Sequence, residues 1–405
     1  MTHSSRSKFR SCDFPFSRLR HFVRIQFAGV LFCAAAVFAQ TNNTGHVALL
    51  DPALPSYHPQ PVPRPTGHGW VMPDGSVRIV GFDDMAGMVA RWDALFTKTH
   101  PGITFAPILK GNRTGIPAIT YDMTAFAPEG GGATLLELLP YEKIYGSKKN
   151  PVAALIIRVG HGSLNPVAKL SPLGIIVNKS NPIRSLTTGQ VASIFSTGSG
   201  TGDVTNWSQI GMKGALENQS IHPAGLYWDA YQRPEDPGMS EYMMYRKFGR
   251  FPGYVFSPHY EQFLHYDQVV RKVAEDPRAI GIVALNKVRP EVRVVPLVGD
   301  DGKALTTGSA SDLIADRYPY ERDLYIYIRR EPGTPFNPLI VEYMKLILSQ
   351  QGQQIIATDP RGYLPLSASD VRFELDKLER AKDWSPRKQQ GPMLNFPFPS
   401  PEPEY

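Results

Sequence analysis

Of the ten histidines of this 405-residue chain, His161, His222, His259 and His265 fall in its later part, where their type could serve catalysis or metal binding, and their spacing serves neither. No His-Glu-x-x-His string or close-set ligand pair occurs, so the sequence offers a metal catalyst no donor set. The two cysteines, Cys12 and Cys33, both fall in the first forty residues. A chain cut after Ala39 would carry no thiol, which removes disulfides, thiolate metal sites and a cysteine nucleophile together. A Gly-x-Ser-x-Gly elbow, a P-loop and a dinucleotide fingerprint are also missing. The sequence therefore predicts a non-enzyme with no catalytic residue, no metal and no cofactor.

What remains is recognition chemistry. Phe82, Tyr227, Trp228 and Tyr231 offer flat apolar faces close in sequence to the carboxylates of Asp83, Asp84, Asp229 and Glu241. Such a pairing suits a sugar-like or cationic organic solute; the alternative is that these aromatics simply pack a domain. Gly198-Ser199-Gly200-Thr201-Gly202 looks like an anion loop, but it shortly precedes Thr205-Asn206-Trp207 and reads as an edge connection.

The first forty residues bear on where such a protein works. Arg6, Lys8, Arg10, Arg18, Arg20 and Arg24 precede an apolar run from Phe27 to Phe38 that ends at Ala39. The pattern is that of a cleavable export signal over residues 1–39, and the run is shorter than the ~20 residues that cross a bilayer. Phe32 before Cys33 argues against lipidation. Setting aside the leader's six basic residues and one acid, Asp13, the formal charge of +6 falls to +1. A near-neutral mature chain has no electrostatic footprint for nucleic acid. The expected location is the periplasm or the exterior.

Six prolines between Pro52 and Pro65 mark residues 40–75 as an extended linker or surface arm. Residues 368–405 are read as a terminal helix and proline-rich tail. The segment between them alternates β-branched runs with helical periodicity, which predicts an α/β protein with mixed, mainly parallel sheets. Val77 to Val80 reads as the first strand, and Met85, Met88, Val89, Trp92, Leu95 and Phe96 line one helix face entered through Asp83 and Asp84. Thr187 to Gln190 has the form of a capping box. Asp267 is expected to cap a helix carrying Val269, Val270 and Val273, and Asn337-Pro338 to open one closing near Gly352.

Five strings in this order carry a family resemblance: L-G-I-I-V-N-K-S-N-P from Leu173, S-L-T-T-G-Q-V-A-S-I-F-S from Ser185, T-N-W from Thr205, V-A-E-D-P-R-A-I-G-I-V from Val273, and L-S-Q-Q-G-Q-Q-I-I from Leu348 followed by G-Y-L-P-L. Together they make the chain resemble the phosphate-binding proteins of ABC importers, periplasmic binding proteins of type II. The resemblance implies two α/β lobes, 76–180 with 324–367 and 181–323, joined by crossings near Asn178 to Pro182 and near Tyr320 to Leu324. It implies a monomer that captures a small-molecule or oxyanion ligand in the interlobe cleft and presents it to an ABC permease.

The resemblance also assigns ligand positions. The loop after the first strand places Phe82, Asp83 and Asp84 where relatives have hydroxyls, and the Lys110 to Gly115 loop supplies Arg113 and Thr114 at a helix start. The family aspartate is matched by Asp122, with Thr124 after it, and the second-lobe loop contributes Trp228, Asp229, Arg233 and Ser240. Because the hydroxyl cradle of that loop is replaced, the ligand is expected to be phosphate, another oxyanion or a divergent organic solute. A secreted sensory or interaction protein that keeps the fold without transport is the second reading.

Overall fold

A computed structural model describes residues 50–145, 154–198, 202–228, 232–248, 256–299, 302, 305–330 and 334–381. The expected leader at 1–39, the tail from Pro386, Asp229, Tyr231 and most of the Gly198–Gly202 string lie outside these residues. No described helix is long and apolar enough to cross a membrane.

The chain begins on a parallel pair, β1 (Val77–Gly81) with β2 (Phe105–Leu109), linked through α1 (Ala86–Thr99). Helix α1 buries Met88, Val89, Trp92 and Phe96 on one side, as their spacing requires. Asp83 to Met85 forms a 3₁₀ turn ahead of it, and neither aspartate caps the helix. A four-stranded sheet follows, in the order β14 (Tyr363–Leu364), β4 (Leu155–Ser163), β13 (Leu324–Ile328), β3 (Ala127–Gly130), antiparallel throughout. Helices α2 (Gly115–Thr120) and α3 (Leu135–Tyr145) flank one side of it, and α8 (Pro338–Ile347), α9 (Gln350–Ala357) and α10 (Ala368–Arg380) complete this half.

The other half is built on a five-stranded sheet ordered β10 (Val292–Val294), β5 (Leu173–Asn178), β9 (Ala279–Ala284), β7 (His222–Leu226), β8 (Glu261–Phe263). A small sheet of β12 (Leu305–Thr306), β11 (Leu297–Val298) and β6 (Leu186–Thr187) adjoins it, with α4 (Thr188–Phe195), α6 (Tyr266–Glu275) and α7 (Ala310–Ile314). A helical turn α5 (Met239–Glu241) runs on into a π-helical turn, Tyr242–Lys247. Strand pairing is mixed, with a larger antiparallel share than a mainly parallel reading implies, because β4 and β5 meet strands arriving late in the chain.

Two large apolar cores result, one per half, with a smaller cluster around Ile116, Ile119, Tyr141 and Tyr327 under α2 and α3. Leu170 belongs to the first and Leu173 to the second; Tyr320 belongs to the second and Leu324 to the first. The chain thus leaves the first core just before β5, earlier than the Asn178 to Pro182 turn, because β5, buried from Leu173 to Val177, pairs with β9 and not with β4. The two crossings lie side by side, Leu173 N donating to Tyr320 O at 3.0 Å.

Local readings differ from the structure in three informative places. The capping box at Thr187 and Gln190 is present, but α6 is capped by His265, with Asp267 in its first turn. The helix opened by Asn337 and Pro338 stops at Ile347, and Ser349 starts α9 by accepting from Gly352 N. A side chain at Gly352 would stand 2.2 Å from Leu346 O, so the close turn between the helices demands glycine. The proline arm is docked and not free. Leu54 and Trp70 are buried in the first core, Tyr57 N and Gln60 N donate to Gln351 Oε1 and Glu342 Oε1, and Asp51 accepts from Ala368 N. An extended proline segment has no internal hydrogen bonds, so its amides find partners on α8 and α9.

Candidate functional site

The site starts from the turn after β2. Lys110 N and Gly111 N both donate to Gly81 O, at 2.9 and 3.1 Å, which folds the loop back over the end of β1. Gly111 sits at φ 124°, a conformation closed to other residues, and Thr114 Oγ1 donates to its carbonyl at 2.7 Å. Asn112 locks the loop to β3 through Nδ2 to Gly130 O at 2.7 Å and Gly130 N to Oδ1 at 2.8 Å. Beneath, the Phe82 ring fills the space a Cβ on Gly130 would need.

The chain then turns through Gly131 and Gly132, at φ 78° and 84°, into Thr134, which is paired with Glu137 at the start of α3. From the other half, Arg246 on the π-helical turn donates to Gly131 O and Ala133 O, so a side chain of the second core holds the backbone of the first. Arg322, on the returning crossing, donates from both terminal guanidinium nitrogens to Asp236, and Tyr266 donates to the same carboxylate at 3.0 Å. Burial alone would lower the Arg322 pKa, but the Asp236 charge outweighs it and keeps the guanidinium charged.

These groups enclose a cavity of about 340 Å³ between the two halves, walled by Lys110 to Thr114, Gly130 to Thr134, Glu137, Asp236 to Gly238, Glu241, Tyr242, Arg246 and Arg322. Its size falls in the range of small-ligand sites. Among the described residues neither Lys110 nor Arg113 has an acidic partner, whereas Arg322 and Arg246 are engaged.

The residues singled out on sequence scatter around this cavity. Arg113 and Thr114 line it, and Phe82 supports its floor. Asp83 pairs with Lys169, while Asp84 is buried with Arg361 Nε at 2.7 Å, the Tyr363 hydroxyl and Lys169 N. Asp122 holds Gly69 N at 2.6 Å and Arg329 at 2.8 Å. Thr124 ties Val80 N to Phe126 O. Trp228 is 59% exposed, Arg233 is exposed at φ 54°, and Ser240 is buried facing Tyr227 O. None of these last residues is in the cavity wall. The wall residues that the sequence reading passed over had visible signals: the triple glycine at 130–132, the Asp236-Pro237-Gly238 turn, and the Glu321-Arg322-Asp323 charge run set against the apolar strand β13.

A second polar cluster lies under the crossings. His161, fully buried on β4, faces Glu321 and Asp323, while Arg158 pairs with Asp316 and Asp370. His161, Asp316 and Glu321 place ligand atoms within 4.8 Å of one another, but Arg158 takes both Asp316 oxygens, which makes the group a charge network.

The family model described as the PBP superfamily domain matches residues 68–351. The chain belongs to that superfamily. The phosphate-binding protein PstS of Pseudomonas aeruginosa, in strains PAO1 and UCBPP-PA14, is 28% identical over 354 residues, covering 87% of this chain and 97% of the relative. Solved structures similar to it include PstS from Borrelia burgdorferi (14% identity, TM-score 0.47, 72% of this chain and 99% of that one) and an ABC-type phosphate transport receptor from Vibrio cholerae (15%, 0.46, 71% and 98%). In this PBP chain the cavity occupies the cleft between the halves, with walls from both and from the returning crossing.

Proposed function

We propose that the chain is an exported binding receptor that captures a small oxyanion in the interlobe cavity and delivers it to an ABC permease. The observation that carries this reading is the pair of cationic side chains, Lys110 and Arg113, on a glycine-bearing loop of the cavity wall with no acidic partner among the described residues. Both side chains are exposed at the mouth of the cavity, free to swing onto an incoming anion, and an oxyanion held between them would gain charge-assisted hydrogen bonds from each. Closure around the ligand adds contacts from both halves, and the closed form is what a transporter reads. The 28% identity to a protein named as phosphate-binding supports the ligand class. A melting-temperature screen with phosphate, sulfate, neutral sugars and simple amines tests it: the oxyanions should raise the midpoint and the sugars should not. A rise confined to sugars would overturn the reading.

A further inference from the structure

The cavity is too large and too two-signed for a bare oxyanion. About 340 Å³ is roughly twice the volume that five heavy atoms occupy at about 30 Å³ each, the share of a water in the liquid. Its acidic side chains are not equivalent. Asp236 is saturated by Arg322 and the Tyr266 hydroxyl. Glu137 is not: Oε2 accepts from Thr134 N at 2.7 Å and Thr134 Oγ1 at 2.6 Å, while Oε1 is buried with no hydrogen-bond partner. Behind it Glu129, 1% exposed, also has a buried Oε1 without a partner, so a second carboxyl backs the same wall. Burial first, and then the charge of Glu137, push the Glu129 pKa well up.

An oxyanion alone, drawn to Lys110 and Arg113, would leave Glu137 Oε1 desolvated and facing like charge, a costly arrangement. A ligand that also carries an ammonium group would satisfy both walls at once. Resting on the oxyanion reading above, we propose that the cavity takes a zwitterionic oxyanion, a phosphate or phosphonate bearing an amine, with its anionic head at Lys110 and Arg113 and its ammonium at Glu137. The bidentate and charge-assisted contacts fix the head; Glu137 sets the selectivity.

Isothermal titration of the full chain with 2-aminoethylphosphonate, ethylphosphonate, ethanolamine and phosphate tests this. The expected result is aminoethylphosphonate binding at least tenfold tighter than ethylphosphonate, with the ratio collapsing toward one in Glu137→Gln, whichever way the absolute affinities move. The ratio in the unsubstituted protein needs no variant to fold. Equal affinity for the two phosphonates, or a ratio that survives Glu137→Gln, would overturn the inference while leaving oxyanion capture standing; binding of ethanolamine alone would overturn both. Silence from all four compounds would overturn both.

Discussion

His161 Nδ1 on β4 is hydrogen-bonded to Glu321 Oε1, on the segment that returns the chain from the second core to the first. The contact is buried, with Asp323 3.4 Å from the same nitrogen. Burial alone would lower the imidazole pKa, but Asp323 and Glu321 outweigh it and raise it to about 10. Burial alone would raise Asp323, yet His161 and Arg158 hold it at about 2. The His161 contribution to stability is therefore full below the unfolded value of about 6.5 and lost as pH rises through about 10. The Asp323 contribution is present above about 3.9 and lost as pH falls through about 2. Melting temperature should decline on the alkaline side, and His161→Gln should melt lower at neutral pH with a shallower alkaline decline. An alkaline decline as steep as that of the wild type would contradict the assignment.

Asp93 on α1 accepts from the Tyr343 hydroxyl at 2.6 Å, while its other oxygen is buried without a partner. Burial, only partly offset by that hydrogen bond, raises its pKa to about 7. A raised carboxylate pKa means stability present below the unfolded value of about 3.9 and lost as pH rises through 7, up to ~1.4 kcal/mol per pH unit. Asp93→Asn should therefore melt higher than the wild type at pH 8 and lose that advantage at pH 4. Differential scanning calorimetry at the two pH values decides it.

The Arg322 and Asp236 pair joins the crossing to the second half at the cavity wall, with side-chain exposures of only 6% and 13%. Removing one partner leaves the other charge buried, so Arg322→Ala or Asp236→Ala should each cost about 3–5 kcal/mol in urea unfolding. Arg322→Met with Asp236→Leu should recover most of it. Additive losses in the double variant would show that the two residues act independently.

Why some of this was legible and some was not follows from distance along the chain. Pattern and local start signals placed β1, α1, the capping box of α4 and the start of α8 because each depends on neighbours within a few residues. The passage from one core to the other was misplaced because β5 is apolar from Leu173 to Val177 and fits either sheet; only its pairing with β9 decides. Arg113 and Thr114 were assigned by the resemblance, and the structure puts both in the cavity wall. Arg322 and Asp236 were not, since their meaning lies in an ion pair 86 residues apart in sequence. Asp84 and Asp122 read as ligand groups because a carboxylate in a loop looks free until Arg361 and Arg329 arrive from the far end of the chain.

Arg246 binds the halves together through Gly131 O and Ala133 O. Charged hydrogen bonds contribute about 1.5–3 kcal/mol each, so Arg246→Ala should shift an open–closed equilibrium toward open at least tenfold. Small-angle scattering of the ligand-free protein should then report a larger radius of gyration. An unchanged radius would show that these bonds do not hold the cleft.

The central claim is that the loop cations of the cleft capture an oxyanion. Isothermal titration of phosphate and ethylphosphonate into the protein and into its Lys110→Ala/Arg113→Ala double variant tests it most directly. The account predicts one saturable site in the unsubstituted chain and affinity weakened at least a hundredfold in the variant, at unchanged melting temperature. Equal binding by the two proteins, or none by either, would contradict it.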